Sequence, residues 1–164
     1  MTDKLFKYNG LLYPFYLKNG NAASYIFPFA QQFCKGRGID IGGTDSCHFP
    51  GAQIINLTKH DGYDAYFLPP GPFDFIFSSH TLEHITNWRY VLYSWHDHLE
   101  PRTGVLFLYL PHPDMLYWHP DNCTKHLHSF TPLMVANHLI QSGFSDVIYS
   151  QRDLYWSFSV VAFK

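Results

Sequence analysis

Gly38-Ile39-Asp40-Ile41-Gly42-Gly43 is a short apolar run that stops on two glycines. It reads as a buried strand entering a tight turn, where glycine lets the backbone come close to a ligand. Working outward, Ala52 to Leu57 and Phe73 to Phe77 read as further strands, the last bounded by Pro72 and by polar Ser78-Ser79-His80. From Thr81 to Leu99 the period changes. Leu82, Ile85, Trp88, Leu92, Trp95 and Leu99 recur at three- and four-residue steps, which predicts one amphipathic helix closed by Pro101 and Gly104. Val105 to Leu110 is almost continuously apolar, as in a strand buried on both faces of a parallel sheet. Thr131-Pro132 supplies a cap and a first-position proline for a helix through Gln141, and Gly143 suits its end. Asp146 to Ser150 and Ser157 to Phe163 close the chain as two strands, an antiparallel hairpin at a sheet edge. Strands alternating with helices predict an α/β fold built on an open sheet.

Residues 1–37 differ in flavour, with many aromatics and the turn pairs Asn9-Gly10 and Asn19-Gly20. A short helix is expected from Pro28 to Cys34, with Phe29, Ala30 and Phe33 on one face and Gly36 just beyond. The chain has 164 residues, the size of a single domain, and it shows no internal repeat or low-complexity tract. Apolar residues make up 46% and charged residues 15%, which excludes a disordered chain. A net charge of −2 leaves no strongly basic surface for nucleic acid. Cys34, Cys47 and Cys123, odd in number and far apart, read as free thiols in a reducing compartment. No apolar run reaches membrane-span length and Met1-Thr2-Asp3-Lys4 lacks a signal pattern, so a cytoplasmic protein is expected. An exposed aromatic surface on so small a domain would favour a homodimer.

Order matters more than any single motif. GIDIGG at 38–43, Asp64-Ala65, then Phe73-Asp74-Phe75-Ile76-Phe77-Ser78-Ser79-His80-Thr81-Leu82-Glu83-His84-Ile85 precede Leu99-Glu100-Pro101-Arg102-Thr103-Gly104. From about Gly38 to the C-terminus this series resembles the class I S-adenosylmethionine-dependent methyltransferases, type 11-like, with SSHTLEHI the most diagnostic segment. The resemblance implies a Rossmann-like open, mostly parallel sheet with an antiparallel C-terminal edge, and S-adenosylmethionine as cofactor. It implies that Asp40, Gly42 and Gly43 face the methionine end, Asn56 the ribose, Asp64 and Ala65 the adenine, and Ser79 and His80 the sulfonium. Three features depart from the family pattern. Thr44 stands where another glycine is usual, neutral Asn56 where an acidic residue is usual, and too few residues separate Gly43 from Ala52 for the usual helix. The fold is therefore expected to be reduced in its first helices.

The long segment Pro111 to Phe130 follows a central strand, where such enzymes hold the acceptor, and loops of this length are usually functional. His112, Tyr117, Trp118 and His119 are candidate acceptor contacts, since aromatic faces shape a pocket or shield a cation. His126 and His128, with His80 at the strand end, are the candidate bases, because histidine titrates near neutral pH. Glu83 and His84 read as a helix N-terminal turn, the carboxylate favoured by the dipole and the histidine packed. The expected function is methyl transfer to an oxygen or nitrogen of a small-molecule or glycan acceptor, with residues 1–37 as a lid over a core of residues 38–164. Two alternatives stay open. One is a non-catalytic cofactor- or partner-binding module. The other is a metal-dependent hydrolase using His126 and His128 with His112, His119 or Asp114, although no tight metal motif is present and no metal is assigned.

Overall fold

The structure, a computed structural model, describes residues 4–19 and 23–164, so Gly20 of the second turn pair and the first three residues lie outside them. A two-stranded hairpin, β1 (Leu5–Tyr8) and β2 (Leu11–Pro14), turns at Asn9-Gly10, both at positive φ. Helix α1 (Ala23–Ala30) follows, and the main sheet begins with β3 (Gly38–Ile41) and β4 (Gln53–Ile55). Then come β5 (Phe75–Ser79), α2 (Trp88–Asp97), β6 (Val105–Pro111), α3 (Pro132–Gln141), β7 (Asp146–Tyr149) and β8 (Ser157–Phe163). The sheet has six strands in the order β4-β3-β5-β6-β8-β7. β4, β3, β5 and β6 are parallel, while β8 runs antiparallel to β6 and to the edge strand β7. The α/β class, the open parallel sheet and its antiparallel C-terminal edge are as the sequence predicts.

Alternation along the central strands builds two cores. Ile76 of β5 and Leu106, Leu108 and Leu110 of β6 face α2 and α3, packing with Trp88, Leu92, Trp95 and Leu139. Phe75, Phe77, Phe107 and Tyr109 face the other side with Ala30 and Phe49. There Phe49, Phe77 and Phe107 stack in sequence, with ring centroids 4.8 and 5.6 Å apart. The aromatic richness of the chain thus serves largely as the packing of one sheet face. Burial pushes the Cys34 thiol in this layer up to about 12, so it remains an uncharged thiol at neutral pH.

Four local expectations are corrected. Helix α1 begins at Ala23, and Pro28 lies inside it rather than at its first turn, with Ala30 buried against the aromatic face. β4 is shorter than expected, because Asn56 caps a 3-10 turn over Leu57–Lys59. β5 begins two residues late, because Phe73 bonds His98 and Glu100 through its main chain before the sheet takes over. Finally, the stretch from Thr81 to Leu99 is not one helix. His80 has φ 49°, a 3-10 turn spans Leu82–His84, Ile85 is extended, and α2 starts only at Trp88. Leu82 and Ile85 are buried with Trp88 and Leu92 as their spacing implies, but the connecting backbone is folded differently.

Candidate functional site

In an open α/β sheet the crevice lies where neighbouring strands leave in opposite directions. Here that point is the carboxyl end of β3, with β4 on one side and β5 on the other. A cavity of about 410 Å³ opens there, lined by Gly42, Asn56, Asp64, Ala65, Tyr66, His80 and Thr81 among others. That volume lies in the range of small-molecule sites.

Gly42 makes the crevice. Its φ is +94°, and a Cβ on it would stand 1.8 Å from Thr81 Oγ1. Its N–H donates to the Ile55 carbonyl at 2.8 Å, tying the turn to β4. Between Gly43 and Ala52 the chain forms a tight turn, with Thr44 and Cys47 bridged, and no helix. Asp40 props this turn from below. It is buried, and its Oδ2 accepts from the Phe49 N–H at 2.6 Å. Asn56 donates through Nδ2 to the Gly43 carbonyl at 3.0 Å and the Gly42 carbonyl at 3.3 Å, while its Oδ1 accepts from Thr58. Asp64 holds the opposite wall, its Oδ1 accepting from the Tyr66 and Phe67 N–H groups.

Of the eight residues expected at the cofactor, Gly42, Asn56, Asp64, Ala65 and His80 line the cavity. Asp40, Gly43 and Ser79 are not part of its lining. Sequence reasoning did not single out the apolar wall of Ile41, Ile55, Leu57, Tyr66 and Ile85, nor Thr81, His84 and Thr86. Tyr66 follows the expected Asp64 and Ala65 in a stretch with no strand or helix period that could have pointed to it.

Burial dominates the electrostatics. It lifts Asp40 from 3.8 to about 6, against the pull of the Phe49 hydrogen bond and of His48. The folded state therefore binds a proton that the unfolded chain releases. The resulting stability is complete below about pH 3.8 and is lost as the pH rises through about 6. The separation corresponds to roughly 3 kcal/mol. Asn at position 40 keeps the acceptor for Phe49 and has no charge to bury. Thermal unfolding of Asp40→Asn between pH 4 and 8 is expected to lack the wild-type decline and to exceed wild type above pH 6. Equal slopes for both proteins would contradict this account.

The loop after β6 brings His112, Trp118, His119, His126 and His128 around a second cavity, of only about 10 Å³. Such a space holds about one water. Tyr117 faces elsewhere, its ring meeting Phe6 and Tyr8 of the N-terminal hairpin at 5.2 and 5.4 Å. His112 and His119 sit beside Asp114 and Asp121 of their own loop. His128 Nε2 lies 3.0 Å from the Ile85 carbonyl, so it is the protonated nitrogen and Nδ1 carries the lone pair. The hydrolase grouping of His126 and His128 with His112, His119 or Asp114 does not converge as a metal-binding cluster among the described residues. A different group does: Glu83, His84 and His126. This corrects the expectation of a helix N-terminal turn, since Glu83 is fully buried in a separate 3-10 turn before α2, away from any helix dipole. Burial pushes Glu83 up to about 8 and pulls His80 down to about 3 and His126 to about 4.

The model of a family described as a methyltransferase domain matches residues 18–148. The chain belongs to that family. No curated protein matches the sequence of this methyltransferase-domain protein. Among solved structures, it is similar to a SAM-dependent methyltransferase from Thermotoga maritima, with TM-score 0.66 and 12% identity over 91% of this chain and 92% of that one. A SAM-dependent methyltransferase from Archaeoglobus fulgidus gives 0.62 and 17% identity over 92% and 98%. A protein of Nostoc punctiforme gives 0.65 and 14% identity over 90% of this chain, which spans only 58% of that one. These likenesses establish the class I methyltransferase fold.

S-adenosylmethionine is the cofactor of the family, and the residues present fit it. A Cβ at Gly42 would collide with Thr81 across the crevice, whose walls are apolar at Ile41, Ile55, Ala65 and Tyr66 and include the polar residues Asp64, His80 and Thr81. Ser79 Oγ is buried at the strand end with no hydrogen-bond partner among the described residues.

Proposed function

We propose that this chain transfers a methyl group from S-adenosylmethionine to an oxygen or nitrogen of a small-molecule or glycan acceptor. The observation that carries the reading is the cavity at the β3–β5 switch point, opened by the positive φ of Gly42. When bound, the cofactor supplies a sulfonium whose methyl carbon is already electrophilic, so positioning carries most of the catalysis. Gly42 and the Asn56-braced turn admit the cofactor's main-chain end, and the Asp64–Tyr66 wall covers its flat base. His80 links the two cavities: it lines the larger one, and its ring lies 5.8 Å from that of Trp118, which lines the smaller. Neutral His80 leaves the positive sulfonium unopposed at the strand end.

An acceptor enters from the side of the 111–130 loop, which opens by displacing the contents of the small cavity. His128 receives the acceptor's proton on Nδ1, because the Ile85 carbonyl fixes the proton on Nε2. Of the two loop bases, His128 suits this better than His126, whose Nε2 is turned toward Glu83. Substituting His128→Asn is expected to lower kcat by about 10²-fold with little change in cofactor affinity. The assay is release of S-adenosylhomocysteine across a panel of hydroxyl and amine acceptors. Unchanged kcat on an acceptor that the wild type methylates would remove His128 from the mechanism. No turnover on any acceptor, despite cofactor binding, would favour a non-catalytic module.

The N-terminal segment is the lid in this reading. Tyr13 and Leu17 bury against Met115, and Phe6, Tyr8 and Trp156 pack around them, so the hairpin rests on the acceptor loop. Tyr13 also donates to the Asp114 carbonyl at 3.1 Å. Deletion of residues 1–20 is expected to raise the acceptor KM more than the cofactor Kd, and unchanged values of both would contradict a lid. No helix among the described residues is long and apolar enough to cross a membrane.

A further inference from the structure

Glu83 is the least explained side chain in the fold. Its carboxyl is wholly buried, and neither oxygen has a hydrogen-bond partner among the described residues. A carboxyl in that condition loses its hydration without replacement, which costs several kcal/mol if it is charged. Three histidines surround it. His80 Nδ1 lies 3.7 Å from Glu83 Oε1, His84 Nε2 lies 3.9 Å away, and His126 Nε2 lies 4.0 Å away. These separations are too long for hydrogen bonds, and all three nitrogens lie nearest the same carboxylate oxygen. The ligand atoms of Glu83, His84 and His126 all lie within 4.8 Å of one another.

The far sides of two rings are already held. His84 Nδ1 donates to the Lys125 carbonyl at 2.6 Å, and His80 Nε2 lies 3.1 Å from Ser157 Oγ. The carbonyl bond leaves His84 Nε2, the nitrogen facing Glu83, free to present its lone pair, which is the arrangement in which metal-bound imidazoles are found. Ligands about 2.0–2.1 Å from a tetrahedral ion stand roughly 3.4 Å apart, so the two histidine nitrogens at 3.9 and 4.0 Å from Glu83 Oε1 need to move inward by about half an ångström on that side.

We propose that Glu83, His84 and His126 form a three-ligand site for a divalent first-row transition ion of the zinc type, with His80 beside it. Imidazole nitrogens with one carboxylate oxygen are the donor set such ions take, and three protein ligands leave the fourth tetrahedral position to a water. The ion would join the turn after β5 to the loop after β6, because His126 reaches across from that loop. His80 and His84 also line the large cavity, so the site forms part of its wall.

The test uses the full chain, stripped with a chelator and titrated with Co²⁺, whose visible d–d absorption reports tetrahedral coordination. The stripped protein is expected to take up one tetrahedral ion per chain and to release it to Zn²⁺. His84→Asn is the informative variant, since its side chain is the most exposed of the ligands. It is expected to weaken Co²⁺ binding by at least about tenfold and to lose the tetrahedral spectrum. Exposed His60→Asn, at the left-handed cap of another turn, is expected to leave both unchanged. Uptake that His84→Asn leaves intact, or no tetrahedral ion in the wild type, would overturn the proposal. If His84→Asn binds less because it is unfolded, circular dichroism shows it. His84→Cys, which retains a ligand atom, then decides: a restored tetrahedral band supports the site and its absence overturns it.

Discussion

Replacing Gly42 with alanine is expected to weaken S-adenosylhomocysteine binding by at least about tenfold and to destabilise the fold. The backbone there is at φ +94°, which an L side chain resists by about 1–2 kcal/mol. The added Cβ would also stand 1.8 Å from Thr81 Oγ1, which donates to the Ser79 carbonyl at 3.0 Å. Something must shift, and the shift falls on the β3 turn or on the turn after β5, the two walls of the crevice. The double variant Gly42→Ala with Thr81→Ala removes the nearest contact but not the backbone strain, so it is expected to recover part of the loss. Full recovery would place the whole effect in the contact. No effect of the single variant would show that the crevice does not depend on this glycine.

The second large effect lies on the opposite wall. Trp95 of α2 is fully buried, and its Nε1–H donates to the Ala65 carbonyl at 2.8 Å. One side chain thus fills the core and fastens the segment that lines the cavity. Trp95→Ala should cost about 3–5 kcal/mol, read as a fall in Tm and in the denaturant midpoint. Trp95→Phe separates the roles. It keeps much of the packing but leaves the Ala65 carbonyl without its donor, at about 1–3 kcal/mol. Its cofactor affinity is expected to fall because the 64–66 wall loosens. Affinity equal to wild type in a destabilised Trp95→Phe would show that the bond supports the core alone.

Much of the fold was legible because its signals are local. GIDIGG predicted both β3 and the turn, since glycine at a strand end has few other uses, and Thr131-Pro132 announced α3 with its cap. The alternation in β6 was hidden by its uniformly apolar residues, yet its length and flanks still marked a strand. What failed was SSHTLEHI. Its apolar spacing continues into α2 without a break, so periodicity alone extends the helix back to Thr81. The backbone instead turns through left-handed His80, a conformation available to histidine but not announced by it. That single turn buries Glu83 and directs it at His126, from a distant part of the chain. The site residues were legible where a glycine or a strand end marked them, as at Gly42, Asn56 and His80. In the irregular Tyr63–Tyr66 wall, which Trp95 fastens at Ala65, Asp64 and Ala65 were named only through the family resemblance and Tyr66 not at all, because no period marks the stretch.

The central claim is that the β3–β5 crevice binds S-adenosylmethionine, and calorimetric titration with S-adenosylmethionine and S-adenosylhomocysteine tests it most directly. One site per chain with micromolar affinity for both, lost or greatly weakened in Gly42→Ala, is the expected result. A well-folded protein that shows no binding heat with either ligand across several temperatures would contradict it.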